Sequence, residues 1–331
     1  MQIEVVFADV IPIKSDDGPN PIAPIAYPHE CKTQLSSSVY YYFFDLIIDD
    51  RLESYGLFSC VCKSKRAVSE NLTTEIIELN PAHYTVWKVR QDCLFTLNIN
   101  LREELEYATE IGFDHHKNYQ IWHHREVIVT KIGLTNDELK EKVLSTEIDY
   151  INKQFETDAK NYHAWSYRQW LVRHFNIWGR ELDDINRLIE SDFRNNSAWN
   201  HRFFYFTNNP EGFSPEHVKS EIDFAMVYNM KAPNNESSWN YLKGIVKIGN
   251  LKTESQNALE LQIKALIVQN EFVVHGAAFL LGLLEIKIDE ETDETRKVEV
   301  CSEARQLCLD LVKFDIIRLK FWNYRMSLIQ V

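Results

Sequence analysis

The chain has 331 residues, 45% of them hydrophobic, with eight Trp and only ten Gly. That is enough to bury a large core, and so few glycines disfavour Gly-rich phosphate loops and point towards helices. A formal charge of −13 disfavours nucleic acid, whose binders usually carry a basic face.

Residues 1–37 contain "IPIKSDDGPNPIAPIAYP" and five of the nine prolines, which reads as an extended arm. The first residues lack a basic stretch followed by a long apolar run, so no signal peptide is expected. "SVYYYFFDLIIDDRLESYG" follows and reads as the first helix of a helical domain over 38–331. Its five-aromatic run suits core packing better than a ligand shelf. Six cysteines lie at 31, 60, 62, 93, 301 and 308, without CxxC spacing. A self-contained zinc site is therefore not expected, and Cys60 and Cys62 read as thiols of a reduced compartment. No run of 18 apolar residues free of charge occurs, so no membrane span is expected. A cytoplasmic location follows as the expectation.

From residue 80 onward a pattern repeats. Trp87 and Arg90, Trp122 and Arg125, Trp165 and Arg168, Trp199 and Arg202 each stand three apart, with Trp spacings of 35, 43 and 34. Trp239 comes forty residues later, with Leu242 where Arg belongs, and Trp322 with Arg325 closes the series. The intervening unit, roughly 251–290, has no Trp but holds the apolar segment "FVVHGAAFLLGLLEI". Asn stands four residues before Trp at Asn118, Asn161, Asn195 and Asn235, while the first copy has His83.

Acidic stretches separate these segments. In "ELDDINRLIESDF", Leu182, Ile185, Leu188 and Ile189 form an amphipathic stripe. Each unit thus reads as an acidic helix followed by an aromatic one, with Asn capping the second. Trp and Arg share a helix face. Trp fills the gap between neighbouring pairs, and Arg stacks on aromatics or pairs with the next acidic helix. Such pairs stack into a solenoid, about seven of them from residue 60 to the end. The fold expected is all-α, a right-handed α-α superhelix shaped as a crescent.

No nucleophile elbow, P-loop or HExxH motif is present. The His pairs at 115/116 and 123/124 offer one metal ligand each at best, because adjacent helical side chains diverge by about 100°. The triplets Lys117-Asn118-Tyr119 and Lys160-Asn161-Tyr162 fall at helix starts, where exposed N–H groups and the macrodipole favour anions. If neighbouring repeats share a rim, Lys117, Tyr162 and His163 could address one diphosphate. The plainer reading is that they are ordinary rim residues.

"KNYQIWHHR", "DAKNYHAWSYRQW", "RNNSAWNHR" and "NESSWNYLKGI", with "FADVIPIKSDDGPNPI" at the N-terminus, resemble the α subunit shared by protein farnesyltransferase and geranylgeranyltransferase type I. The resemblance runs from about residue 7 to 328. It implies a crescent of helical pairs around a β subunit, an α/α barrel that holds the catalytic zinc. The magnesium it implies accompanies the diphosphate. The implied reaction transfers a farnesyl or geranylgeranyl group from its diphosphate to the Cys of a CaaX-terminated protein such as a small GTPase.

On the same resemblance, Lys117 neutralises the leaving diphosphate and Tyr119 lies near the isoprenoid. Gln120 bonds the peptide carboxylate, and Tyr162 and His163 contact the diphosphate. Two other readings stand beside this one. A Rab geranylgeranyltransferase α subunit shares the repeats without the arm, and a helical-repeat scaffold would have no catalytic part.

Overall fold

The computed structural model describes residues 66–133, 137–251 and 253–329. The Pro-rich arm, the aromatic run after it, and Cys60 and Cys62 lie outside the described residues. The chain divides into two compact units, with the boundary between Ile99 and Asn100. In the first unit, α1 (Arg66–Leu79) pairs with α2 (Tyr84–Leu97). In the second, α3 (Leu101–Asp114) precedes α4 (Tyr119–Gly133), α5 (Asp137–Thr157) precedes α6 (Tyr162–Phe175), and α7 (Glu181–Ser191) precedes α8 (Asn196–Asn208). There follow α9 (Pro215–Lys231) with α10 (Glu236–Gly249), α11 (Thr253–Gln269) with α12 (Val274–Glu290), and α13 (Glu294–Phe314) with α14 (Leu319–Leu328). Among the described residues there are no strands, so the all-α expectation holds.

One connection is uniform. The acidic helix hands over to the aromatic helix through four residues each time: 80–83, 115–118, 158–161, 192–195 and 232–235 among them. In each of these five turns the fourth residue's N–H donates to the first residue's carbonyl, at 2.8–3.1 Å. The connections at the opposite end vary; 98–100 is short and 209–214 is longer.

The Trp and Asn periodicities meet at the second residue of this turn. The indole N–H of Trp122 donates to the His116 carbonyl at 2.9 Å, and so does the Nδ2 of Asn161 from the next repeat, also at 2.9 Å. Ala159 receives Trp165 and Asn195 in the same way, at 3.0 and 2.9 Å. Phe193 receives Trp199 and Asn235, both at 2.8 Å. Meanwhile the Oδ1 of each Asn accepts from its own helix: Gln120 N–H to Asn118, His163 and Ala164 N–H to Asn161, Ser197 N–H to Asn195. In Asn161, Asn195 and Asn235 a single side chain thus caps one helix and bonds the preceding turn, a double role that needs the amide's acceptor and donor together.

The Trp side chains fill the space between repeats. Each ring packs on the residue two places beyond the next Trp position, which in the 251–290 unit is held by Ala277: Trp122 on Tyr167 at 5.4 Å, Trp165 on His201 at 5.1 Å, Trp199 on Tyr241 at 5.2 Å and Trp239 on Phe279 at 6.0 Å. Truncating such a buried ring costs about 3–5 kcal/mol.

The arginines are buried. Arg125 makes a two-pronged bond to Glu147, at 3.0 and 2.6 Å, and lies over the Tyr150 ring at 3.7 Å. Arg168 holds Glu181 and Asp184, and Arg202 holds Glu221. Each Glu is shared with the aromatic helix after it, through Tyr167 to Glu147 at 2.6 Å, His201 to Glu181 at 2.7 Å, and Tyr241 to Glu221 at 2.5 Å. Buried ion pairs are favourable only when every prong is matched. Here the third guanidinium nitrogen, Nη1, of Arg168 and of Arg202 donates to Asn152 and to Asn186.

In unit 251–290, Ala277 stands where Trp would and Leu280 where Arg would, both fully enclosed. This copy puts apolar packing where other copies have the buried Trp and Arg. In the last copy Trp322 donates to the Asp315 carboxylate at 2.8 Å, and Arg325 turns back to Glu285 on α12 at 2.7 Å.

Candidate functional site

The site residues expected from the sequence lie on two neighbouring four-residue turns and the helix starts they feed. Lys117 is the third residue of turn 115–118, Tyr119 opens α4, and Gln120 follows it. Tyr162 opens α6 and His163 follows. These positions escape the packing pattern: Tyr119 is 61% and Tyr162 77% exposed, whereas the intervening Asn161 is buried. Tyr162 meets His163 edge-on at 5.9 Å, and Tyr119 lies parallel to His123 at 6.2 Å.

The two turns touch. Asn161 bonds the His116 carbonyl, and the Lys117 ammonium crosses to the Asp158 carboxylate at 3.3 Å. Asp158 is the first residue of the following turn. Its carboxyl is held below its usual pKa by the Lys160 N–H and by Lys117, against a smaller opposing effect of burial. Lys117 thus comes to the turn that precedes Tyr162 and His163.

One expectation needs adjustment. The helix starts offer fewer open N–H groups than their position suggests, because Asn118 takes that of Gln120, and Asn161 takes those of His163 and Ala164. What these helix starts offer an anion is their side chains and the macrodipole. Lys160 holds the position equivalent to Lys117, but among the described residues no ion pair joins it to Asp192, the counterpart of Asp158.

The His pairs do not converge. His124 is buried against Glu104 at 2.7 Å, while His123 lies outside, 3.8 Å from Glu126. Among the described residues no three His, Cys, Asp or Glu side chains gather as a metal ion requires, so these residues do not fit zinc. No helix of the described residues is long and apolar enough to cross a membrane.

Sequence reasoning missed the buried glutamates and their His or Tyr partners. Their signal was available as His or Tyr immediately before Arg in "WHHR", "WSYR" and "WNHR".

The protein prenyltransferase alpha subunit repeat matches residues 101–132, 144–175 and 178–209. The protein farnesyltransferase/geranylgeranyltransferase type-1 subunit alpha of Solanum lycopersicum is 36% identical, over 98% of this chain and 90% of its own length. The geranylgeranyl transferase type-2 subunit alpha of Saccharomyces cerevisiae is 33% identical over only 30% of this chain and 31% of its own. Among solved structures, Candida albicans protein geranylgeranyltransferase-I complexed with GGPP has a chain that matches with a TM-score of 0.68 and 29% identity. The match covers 83% of this chain and 89% of that one.

Proposed function

The chain belongs to the α-subunit family of protein farnesyltransferase/geranylgeranyltransferase type 1, and from that membership we infer that Lys117, Tyr119, Gln120, Tyr162 and His163 form its contribution to the active site. It is one subunit of a protein prenyltransferase heterodimer. In the proposed reaction the isoprenoid diphosphate gives up its farnesyl or geranylgeranyl group to the thiol of a CaaX-terminated protein in the cytoplasm. The β subunit carries the zinc, and magnesium accompanies the diphosphate.

Within that reaction this chain handles charge. As the carbon–oxygen bond breaks, negative charge grows on the diphosphate. An ammonium and a phenol already aimed at it stabilise the transition state more than the ground state. Lys117, Tyr162 and His163 take that role, while Tyr119 borders the isoprenoid and Gln120 receives the peptide carboxylate. The observation that carries the reading is the reach of Lys117 to Asp158, 3.3 Å away on the turn that leads to Tyr162 and His163.

The test uses the heterodimer with its β subunit. Lys117→Ala should lower turnover at least tenfold, on the scale of losing one charge-stabilising donor, while the heterodimer still forms. Full turnover would refute the role. Prenylation of a free CaaX peptide without an escort protein separates this reading from a type-2 enzyme.

A further inference from the structure

We propose that Asp158 is a positioning residue for Lys117: its carboxylate holds the ammonium at the inter-repeat turn before the diphosphate engages it. The proposal rests on the role assigned to Lys117 above.

The first observation is that the charge of Asp158 exceeds what its turn needs. Its Oδ1 accepts the Lys160 N–H at 3.1 Å. Asp192 accepts the Arg194 N–H in the same way at 2.9 Å, and Asn80 accepts that of Ala82 at 3.2 Å. A neutral amide therefore serves the turn as well as a carboxylate does.

The second is that the other oxygen of Asp158 faces Lys117, a residue 41 positions earlier, at 3.3 Å. This pairing does not come with the repeat, since Lys160 and Asp192 occupy the same two positions without it among the described residues. The third is an asymmetry. The Asp158 side chain is 26% exposed and fixed by its turn, whereas that of Lys117 is 70% exposed. A flexible lysine stem loses substantial rotamer freedom when ordered, so the carboxylate defines where the ammonium waits.

Two opposite effects follow. Asp158 competes with a ground-state diphosphate for the ammonium and repels it, which weakens binding. It also keeps the ammonium close to where charge develops, so that the ammonium transfers from carboxylate to diphosphate oxygen as that charge grows. Removing the carboxylate should then tighten anion binding and slow turnover together, a pattern that marks an effect on the difference between the two states.

The experiment compares four heterodimers: the native enzyme, Asp158→Asn, Lys117→Ala and the double variant. Asparagine keeps the turn acceptor, as Asn80 does. The readouts are kcat at saturating substrates and the inhibition constant of inorganic diphosphate. For Asp158→Asn, both should fall roughly two- to fivefold, the span of an exposed ion pair. In the Lys117→Ala background the same substitution should leave kcat where Lys117→Ala had put it.

Loss of a merely structural turn would lower kcat without tightening diphosphate. A native-like kcat, an inhibition constant that stays or rises, or an equal fall of kcat in both backgrounds would overturn the Asp158 role alone. Full turnover of Lys117→Ala would overturn the parent reading, and this one with it.

Discussion

Replacing Asn195 by alanine removes two hydrogen bonds of different kinds. Its Oδ1 accepts the Ser197 N–H at 3.0 Å, and its Nδ2 donates to the Ala159 carbonyl at 2.9 Å in the preceding repeat. Loss of the cap costs about 1 kcal/mol, and loss of the buried bridge about 1 kcal/mol more. The bridge loss goes no higher because Ala159 keeps its bond from Trp165. The alanine variant should therefore lose about 2 kcal/mol, and serine, which keeps only the cap, about 1 kcal/mol.

Aspartate is the decisive case. A cap alone would gain from a carboxylate at a helix start. Here the second oxygen would face a carbonyl with the side chain 98% covered, so Asn195→Asp should be less stable than the native chain. Urea unfolding of the heterodimer, read by Trp fluorescence with unchanged slope, gives the order. An aspartate variant as stable as the native one would refute the double role.

Two further outcomes concern the buried network. Burial and Arg168 lower the pKa of His201 more than Glu181 raises it. For Glu181, burial pushes upward, but bonds from His201 and Arg168 outweigh it and bring its carboxyl to about 2. Both folded values lie below the unfolded ones. Each contribution is thus whole above the unfolded pKa and fades on acidification, for His201 from 6.5 downward and for Glu181 from 4.5 towards about 2. His201→Tyr, which copies Tyr167 and Tyr241, should fold at pH 7 and flatten the fall of thermal midpoint just below pH 6.5; an unaltered slope would count against it.

At Gly112, a Cβ would strike the hydroxyl of Tyr150, whose ring lies beneath Arg125. Gly112→Ala should lower stability by about 1–2 kcal/mol, overpacking outweighing a helix-propensity gain of about 1 kcal/mol. A thermal midpoint raised above the native one would show that Tyr150 moves freely.

Trp, Asn and Arg were readable because each sits at a fixed offset from the others in the copies that carry them. Glu147, Glu181 and Glu221 were not. On an acidic helix a buried carboxylate has the same letter as the solvated ones beside it, and only its partner arginine on the helix just before separates them. The carbonyls of His116, Ala159 and Phe193 left no trace, since a backbone acceptor imposes no side chain. Asn161 was legible as a cap, but its bond to the preceding turn was not. Lys117, Tyr119 and Gln120 stand on an edge where packing accepts many residues; Lys117 was legible only as a charge at a helix start, and Tyr119 and Gln120 only by likeness to a known family.

The Asn bridges have a consequence for how such a chain tolerates change. The bonds of Asn161, Asn195 and Asn235 span 45, 36 and 42 residues, yet their lengths stay within 2.8–2.9 Å. The differences are absorbed elsewhere, in acidic helices of 21, 11 and 17 residues and in the connections at their far ends. Spacing along the chain is thereby decoupled from alignment along the edge. Insertions and deletions can accumulate on one side of the molecule while the opposite side keeps a constant pitch, and the charged and aromatic side chains carried there stay in step.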